Sequence, residues 1–352
     1  MLLYQKYITT MGIKNLHKFI KGHANHVYRV KNLDTYQGKR IAIDTCIYLY
    51  KYKSIFKTKW IHSFINLIST LKKLKIHPVF VYDTSAPIEK TNKKQERRNI
   101  KNNIETQISN LKKDLEVYDE TGVISEALSN VNMKRQGCIY NLLNTETPYN
   151  RETAVQEIAF LKRKVTHVTS ADYEFTKQVL DALGIPYINA PMEGETLCSH
   201  LCYLGKVDAV LSDDTDVLAY GAPYLLTRLD IGKRQVQEIC FKELITSLDM
   251  DEKMFKDFCI MCGTDYNPNI YNISSKRAYG LISQYKSIEG VRDGNPNIDI
   301  SILNHHRVRE LFSIPDTIDY DFKETPSDIN MLRKILKEHS CSLPEHILIT
   351  LE

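Results

Sequence analysis

Apolar residues in this chain follow two patterns. Short unbroken runs, Ile41-Ala42-Ile43, Val79-Phe80-Val81-Tyr82 and Ala209-Val210-Leu211, each lead into an acid or reach one within two residues. Longer stretches carry a helical period: between Trp60 and Leu74 the apolar positions are Ile61, Phe64, Ile65, Ile68, Leu71 and Leu74. The apolar and aromatic stretch Thr45 to Tyr52 predicts a buried helix, and Met11 to Ile20 a short amphipathic one. His77-Pro78 stops the helix before it. Strands that are apolar on both faces, separated by helices, predict an α/β fold. Its central sheet is mostly parallel, with helices on both sides.

Residues 84–165 differ. Ile100, Ile104, Ile108, Leu111 and Leu115 predict a long amphipathic helix, and Val155 to Leu161 another. Between them, Glu120 to Arg151 is polar and turn-rich and reads as a loop, insertion or disordered segment. From Asp172 the helix–strand alternation returns. Tyr173 to Leu183 predicts a helix with Gly184 as its stop, and Ile185 to Ile188 a strand. Ala190-Pro191 leads into a helix with the proline in its first turn. Val236 to Phe241 reads as a strand, and Phe255 to Met261 and Arg277 to Tyr285 as helices. Beyond Ser287 the chain is helical, with loops near Asn295-Pro296 and Ile314-Pro315. Three segments follow: 11–83, 84–165 and 166–352.

Composition narrows this picture little. The chain has 352 residues, 43% hydrophobic and 26% charged, with a net charge of +4. The charge is local. Glu89 to Lys101 alone holds six Lys/Arg against two Glu, a net +4 that leaves the remainder balanced. Eight cysteines lack a disulfide or zinc spacing and read as reduced buried thiols of a reducing, intracellular compartment. No run is long and apolar enough to span a membrane, and the N-terminus has no secretory pattern.

The acids carry the chemistry. In a parallel sheet the carboxyl ends of neighbouring strands share one edge, where sites form. Asp44, Asp83 and the group Asp213, Asp214 and Asp216 all stand at such ends. Glu193, Glu195 and Asp265 are further candidates. Any one of them is an ordinary helix cap. Seven carboxylates in one place (Asp44, Asp83, Glu193, Glu195, Asp214, Asp216 and Asp265) would repel unless cations stood between them. Hard oxygen ligands suit Mg²⁺ or Mn²⁺, and a pair of such ions activates water and stabilises a leaving oxygen in phosphoryl chemistry. Asp213 reads as a cap or a supporting residue.

Six stretches in order carry a resemblance: Met11-Gly-Ile-Lys-Asn-Leu16, Ile41-Ala-Ile-Asp44, Pro78-Val-Phe-Val-Tyr-Asp83, Gly184-Ile-Pro-Tyr-Ile-Asn-Ala-Pro-Met-Glu-Gly-Glu195, Ser212-Asp-Asp-Thr-Asp216 and Cys262-Gly-Thr-Asp265-Tyr266. Together they resemble the flap endonuclease family of structure-specific 5′ nucleases, over roughly residues 11–95 and 155–345. The resemblance implies a PIN-like 5′ nuclease fold and a site for two Mg²⁺ ions, with Mn²⁺ as substitute. Asp44, Asp83, Glu193 and Glu195 fall in one metal group, and Asp214, Asp216 and Asp265 in the other. It implies that Lys90 and a second basic residue, Arg97 or Lys94 by different alignments, reach the scissile phosphate. It places Tyr50 under a terminal nucleobase and Arg98 among the DNA contacts. Residues 84–165 take the place of a helical arch over the site, and this arch is longer than the family's usual one.

Residues 262–290 take the place of a helix–two-turn–helix that grips duplex DNA and binds K⁺. Here Asn272-Ile273-Ser274-Ser275 stands where the family has Gly-Ile-Gly-Pro, which makes close backbone approach to phosphate harder. Lys276 and Arg277 keep the charge. The family begins at its Met-Gly dipeptide, whereas ten residues precede Met11 here. The sequence carries no recognisable sliding-clamp peptide, and its composition fits a member encoded by a large DNA virus. The expectation is a monomeric, Mg²⁺-dependent 5′ flap endonuclease or 5′→3′ exonuclease. It would act on flaps, nicks or junctions in replication, repair or recombination, in the nucleus or a cytoplasmic replication site. A Holliday-junction resolvase-like activity and a non-catalytic DNA-binding scaffold are the alternatives.

Overall fold

The computed structural model describes residues 12–143, 149–314 and 319–351, with side chains of the helix Glu126–Leu143 described as far as residue 134. Met11, the ten residues before it and Pro315 lie outside the described residues.

Seven strands form one mixed sheet in the order β1-β7-β6-β5-β2-β3-β4. They are β1 (Arg29–Asn32), β2 (Arg40–Asp44), β3 (His77–Tyr82), β4 (Tyr187–Asn189), β5 (Ala209–Leu211), β6 (Tyr224–Asp230) and β7 (Gln235–Cys240). The run β6-β5-β2-β3-β4 is parallel, and β7 pairs antiparallel with β6 and β1. Each central strand buries both faces. In β3, Val79 and Val81 enter one core while Phe80 and Tyr82 enter the other. In β2 and β5 the same alternation splits Ala42 from Ile41 and Ile43, and Val210 from Ala209 and Leu211.

One core lies under the helices Leu16–His23, Gly194–Tyr203, Glu252–Cys262 and Ser275–Tyr285. The other lies under Thr45–Phe56, Trp60–Lys73, Ser170–Ala182 and the C-terminal helices Ile329–Glu338 and Glu345–Leu351. Phe64 meets Phe80 there with ring centroids 5.2 Å apart. The seven cysteines with described side chains are all free. No helix among the described residues is long and apolar enough to cross a membrane.

Four readings of the sequence are corrected. The segment between residues 120 and 151, read as a loop, an insertion or a disordered segment, contains the helix Glu126–Leu143. Leu128 and Val131 bury against Thr91–Thr121 and Arg151–Lys164, giving these three helices a core of their own. Two apolar anchors among polar neighbours left little period to read. Pro191 is not in a helix's first turn, because the helix starts at Gly194. Thr84 instead ties the segment to the exit of β3: its Oγ1 donates to Ala190 O at 2.7 Å and its N–H to Met192 O at 3.0 Å. The first helix begins at Leu16, after Gly12 (φ 73°) and Asn15 (φ 60°), whose left-handed backbone excludes helix. The structure adds strands β1 and β6. The exposed edge strand β1, Arg-Val-Lys-Asn, has no apolar pattern to betray it.

Candidate active site

Four adjacent parallel strands, β5-β2-β3-β4, end on one edge of the sheet. Asp44 is the last residue of β2, and Asp83 follows β3 directly. Glu193 stands just before, and Glu195 in the first turn of, the helix Gly194–Tyr203 that follows β4. Asp214 and Asp216 follow β5. Asp265 comes from the turn after the helix Glu252–Cys262. The fold therefore gathers all seven expected acids at that edge.

Their local partners fix them. Ser212 Oγ donates to Asp44 Oδ2 at 2.9 Å and accepts from Asp214 N–H at 3.0 Å. Gly194 N–H donates to Asp83 Oδ1 at 2.6 Å, and Asp216 N–H to Asp214 Oδ1 at 2.9 Å. A Cβ on Gly12 would collide with Asp214 and Asp216, so only glycine lets the N-terminal segment lie against these acids. Tyr266 Oη donates to Glu193 Oε2 at 2.7 Å.

The cluster is electrostatically strained. Burial first, then neighbouring carboxylates, pushes Asp44, Glu195 and Asp216 well above the usual carboxylate range. Burial raises Asp214 to about 6. Asp83 is raised by the same desolvation, although its open side lets water screen part of the effect. Asp216 Oδ1 is buried with no hydrogen-bond partner. A buried carboxylate oxygen with nothing to accept from is the atom a cation would satisfy. A set made only of carboxylate oxygens suits a hard divalent ion.

Two cations already stand among the acids. Lys90, 7% exposed, pairs with Glu193, with Asp265 Oδ2 at 3.1 Å and with Glu195 Oε1 at 3.5 Å. Burial opposes its charge, but the three carboxylates outweigh that and raise its pKa. Arg97 Nη2 lies 2.8 and 2.7 Å from the two oxygens of Asp265. Lys94 and Arg98 are exposed and, among the described contacts, reach none of the acids. Tyr50 is 37% exposed, with Lys101 Nζ 5.2 Å from its ring centroid. Lys276 and Arg277 lie apart from the acids, exposed at the start of Ser275–Tyr285. There Asn272 takes φ 58°, the left-handed conformation that glycine favours, and Ser274 caps the helix.

Among the described residues, the one group of three donors whose ligand atoms all lie within 4.8 Å of one another is elsewhere: Glu289, His305 and His306. Arg309 holds both Glu289 oxygens, at 2.6 and 2.8 Å, so that group reads as an ionic knot between helices. The seven acids are not drawn together so tightly, since Lys90 and Arg97 stand between them.

Several contributors were not legible in sequence. Asp213 is buried and turned away from the acids. Lys51 Nζ and Thr227 Oγ1 each donate to it at 2.9 Å, and Arg228 N–H at 2.8 Å. Burial works against its charge, yet Lys51 and these donors hold its pKa below the usual value. Arg228 sits at φ 53° where the β6–β7 register shifts and also contacts His17. Ser212 and Asp213 had a sequence signal, their place inside the acid motif, and Asp213 read there as a cap or supporting residue; Lys51, Thr227 and Arg228 had none.

Comparison with known proteins agrees with this architecture. The XPG N-terminal domain matches residues 11–104 and the XPG I-region residues 184–265. The "Probable RAD2-like endonuclease 076L" of Invertebrate iridescent virus 3 is 32% identical over 94% of this chain and 94% of its own length. Flap endonuclease 1 of Lodderomyces elongisporus is 26% identical over 88% of this chain and 73% of its own. Among solved structures, the catalytic core of Rad2 in complex with DNA substrate superposes with a TM-score of 0.67 at 20% identity, covering 97% of this chain and 100% of that one. Sheet order, acid placement and these matches converge: the chain belongs to the flap endonuclease family of RAD2-like, XPG-type structure-specific DNA nucleases, which are hydrolases.

Proposed function

We propose that this chain hydrolyses DNA phosphodiester bonds where a 5′ single strand meets duplex, acting as a monomer with two divalent ions, Mg²⁺ in the cell. The observation that carries this reading is the convergence of seven carboxylates around the buried amine of Lys90. Asp44, Asp83, Glu193 and Glu195 would hold one ion, and Asp214, Asp216 and Asp265 the other. Bound there, the ions would supply Lewis acidity and charge neutralisation for in-line hydrolysis.

The chain's own residues do the rest. Lys90 and Arg97 place positive charge among the acids, each within ion-pair distance of Asp265. Both side chains would reach the scissile phosphate there and stabilise its developing negative charge. Tyr50 offers an exposed ring for a terminal base, and stacking needs no particular sequence. Lys276, Arg277 and Arg98 contact phosphates and set register without reading bases. The left-handed Asn272 supports a backbone turn like the family's and leaves a K⁺ site open there.

A second reading, junction resolution or mainly exonucleolytic cutting, is favoured by the packing of the three helices Thr91–Thr121, Glu126–Leu143 and Arg151–Lys164 on one another. A gate with its own packed core is stiffer than a loop and less suited to threading a free end. A cleavage panel of flap, nicked, recessed and four-way DNA in Mg²⁺, with product ends mapped, separates these substrates. Asp214→Asn with Asp216→Asn is expected to abolish cleavage and spare DNA binding. Undiminished cleavage would sink the two-metal assignment.

A further inference from the structure

A line of buried hydroxyls runs from the acid cluster into the core. Tyr266 Oη donates to Glu193 Oε2, the Tyr220 and Tyr266 hydroxyls touch, and Thr196 Oγ1 reaches Tyr220 Oη, each at 2.7 Å. Tyr220 is 2% exposed and Tyr266 6%. Both rings are wedged against Phe312, with centroids 5.0 and 5.6 Å away.

The proton directions follow from what each group can do. A carboxylate only accepts, so the single phenol proton of Tyr266 points at Glu193. Tyr266 must then accept from Tyr220, and Tyr220 from Thr196. The three dipoles align head to tail toward Glu193, and such chains strengthen one another in a low dielectric. Glu193 Oε2 is thereby committed. Its Oε1 is left facing the position that Lys90 occupies.

We propose that Tyr220 is a positioning residue for Glu193. Its hydroxyl sets the polarity of the chain, so that Glu193 Oε2 stays engaged by Tyr266 and Oε1 is the oxygen presented to a divalent cation. Without it, Tyr266 could turn its proton away, and Glu193 would swing or share Lys90 through both oxygens. This inference rests on the reading of Glu193 as a metal ligand.

The test is Mn²⁺ binding to the full chain without DNA, read from the free-ion electron paramagnetic resonance signal. Tyr220→Phe keeps the ring and its packing. It is expected to weaken Mn²⁺ binding about fivefold, less than the ~10-fold or more typical when a ligand's direct partner is lost. Cleavage should fall at limiting Mn²⁺ and recover to near the parent kcat at saturating Mn²⁺, a split that a merely structural defect would not produce. Affinity within about twofold of the parent overturns the proposal. Glu193→Gln runs alongside. Weakened binding there with an unchanged Tyr220→Phe removes only this inference, whereas unchanged binding there removes the ligand reading and the inference together. Should Tyr220→Phe fail to fold, Thr196→Val is read in the same way. A loss of about twofold or more supports the chain, and unchanged affinity overturns it.

Discussion

Nη2 of Arg97 lies 2.8 and 2.7 Å from the two carboxylate oxygens of Asp265, while Lys94, three residues earlier on the same helix, stays in water. The sequence offered both as the second basic residue, and the geometry favours Arg97. Arg97→Ala is expected to lower kcat about 100-fold, the usual effect of losing a charge-stabilising donor, with Lys94→Ala within about twofold of the parent. Single-turnover cleavage of a flap substrate checks this. Equal losses in the two variants would reject the assignment.

Lys51 and Asp213 form a buried ion pair at 2.9 Å, with side chains 11% and 0% exposed. Removing Lys51 takes away the cation that faces this buried carboxylate. Lys51→Met is therefore expected to destabilise the fold by about 3–5 kcal/mol. Denaturant unfolding measures this. A loss under ~1 kcal/mol, ordinary for surface pairs, would show that water reaches Asp213.

Arg309 joins Glu289 to Asp257, with donor–oxygen distances of 2.6 to 2.8 Å. The Arg309 hydrogen bonds hold Glu289 well below its ordinary value of 4.5. A carboxyl depressed in the folded state binds protons more readily when unfolded, so stability rises with pH through that window. The contribution is complete above about pH 4.5 and drains away as pH falls toward the lower folded value. Thermal unfolding from pH 7 to pH 3 should show a steeper acid loss in the parent than in Glu289→Gln. Parallel curves would refute this.

Lys276 and Arg277 carry exposed charge at the start of the helix Ser275–Tyr285. If both contact phosphates, replacing the pair with alanine weakens duplex binding and reduces the slope of log K against log salt by about 2. A salt titration of DNA binding in Ca²⁺ reads both quantities. An unchanged slope would place the duplex elsewhere.

Short-range pattern alone determined the parallel core of this protein. Uninterrupted runs such as Val79 to Tyr82 bury on both faces, and burial of that kind is written in consecutive residues. The acids were legible for the same reason. Six of the seven stand at or just after a strand end or at a helix start, and parallel strands bring such positions to one edge whatever the loops between them; Asp265, in a turn after a helix, was legible as part of the Cys262-Gly-Thr-Asp265-Tyr266 motif. What remained hidden depends on partners far apart in sequence. The helix Glu126–Leu143 exists because Leu128 finds its neighbours across a bundle, and β1 because β7 lies beside it. Thr84 ties the segment before the helix at Gly194 to the exit of β3 through hydrogen bonds spanning more than a hundred residues. Asp213 became a structural ion-pair residue only because Lys51 approaches it from 162 residues away. That Arg97 and not Lys94 meets Asp265 needed the same information, because two exposed basic residues on one helix differ only in what they face. Periodicity and local motifs fix which residues are buried and which acids stand at strand ends. Only the packed chain decides which charges meet, because the energy of an ion pair depends on distance and burial, and neither is carried by a residue's neighbours in sequence.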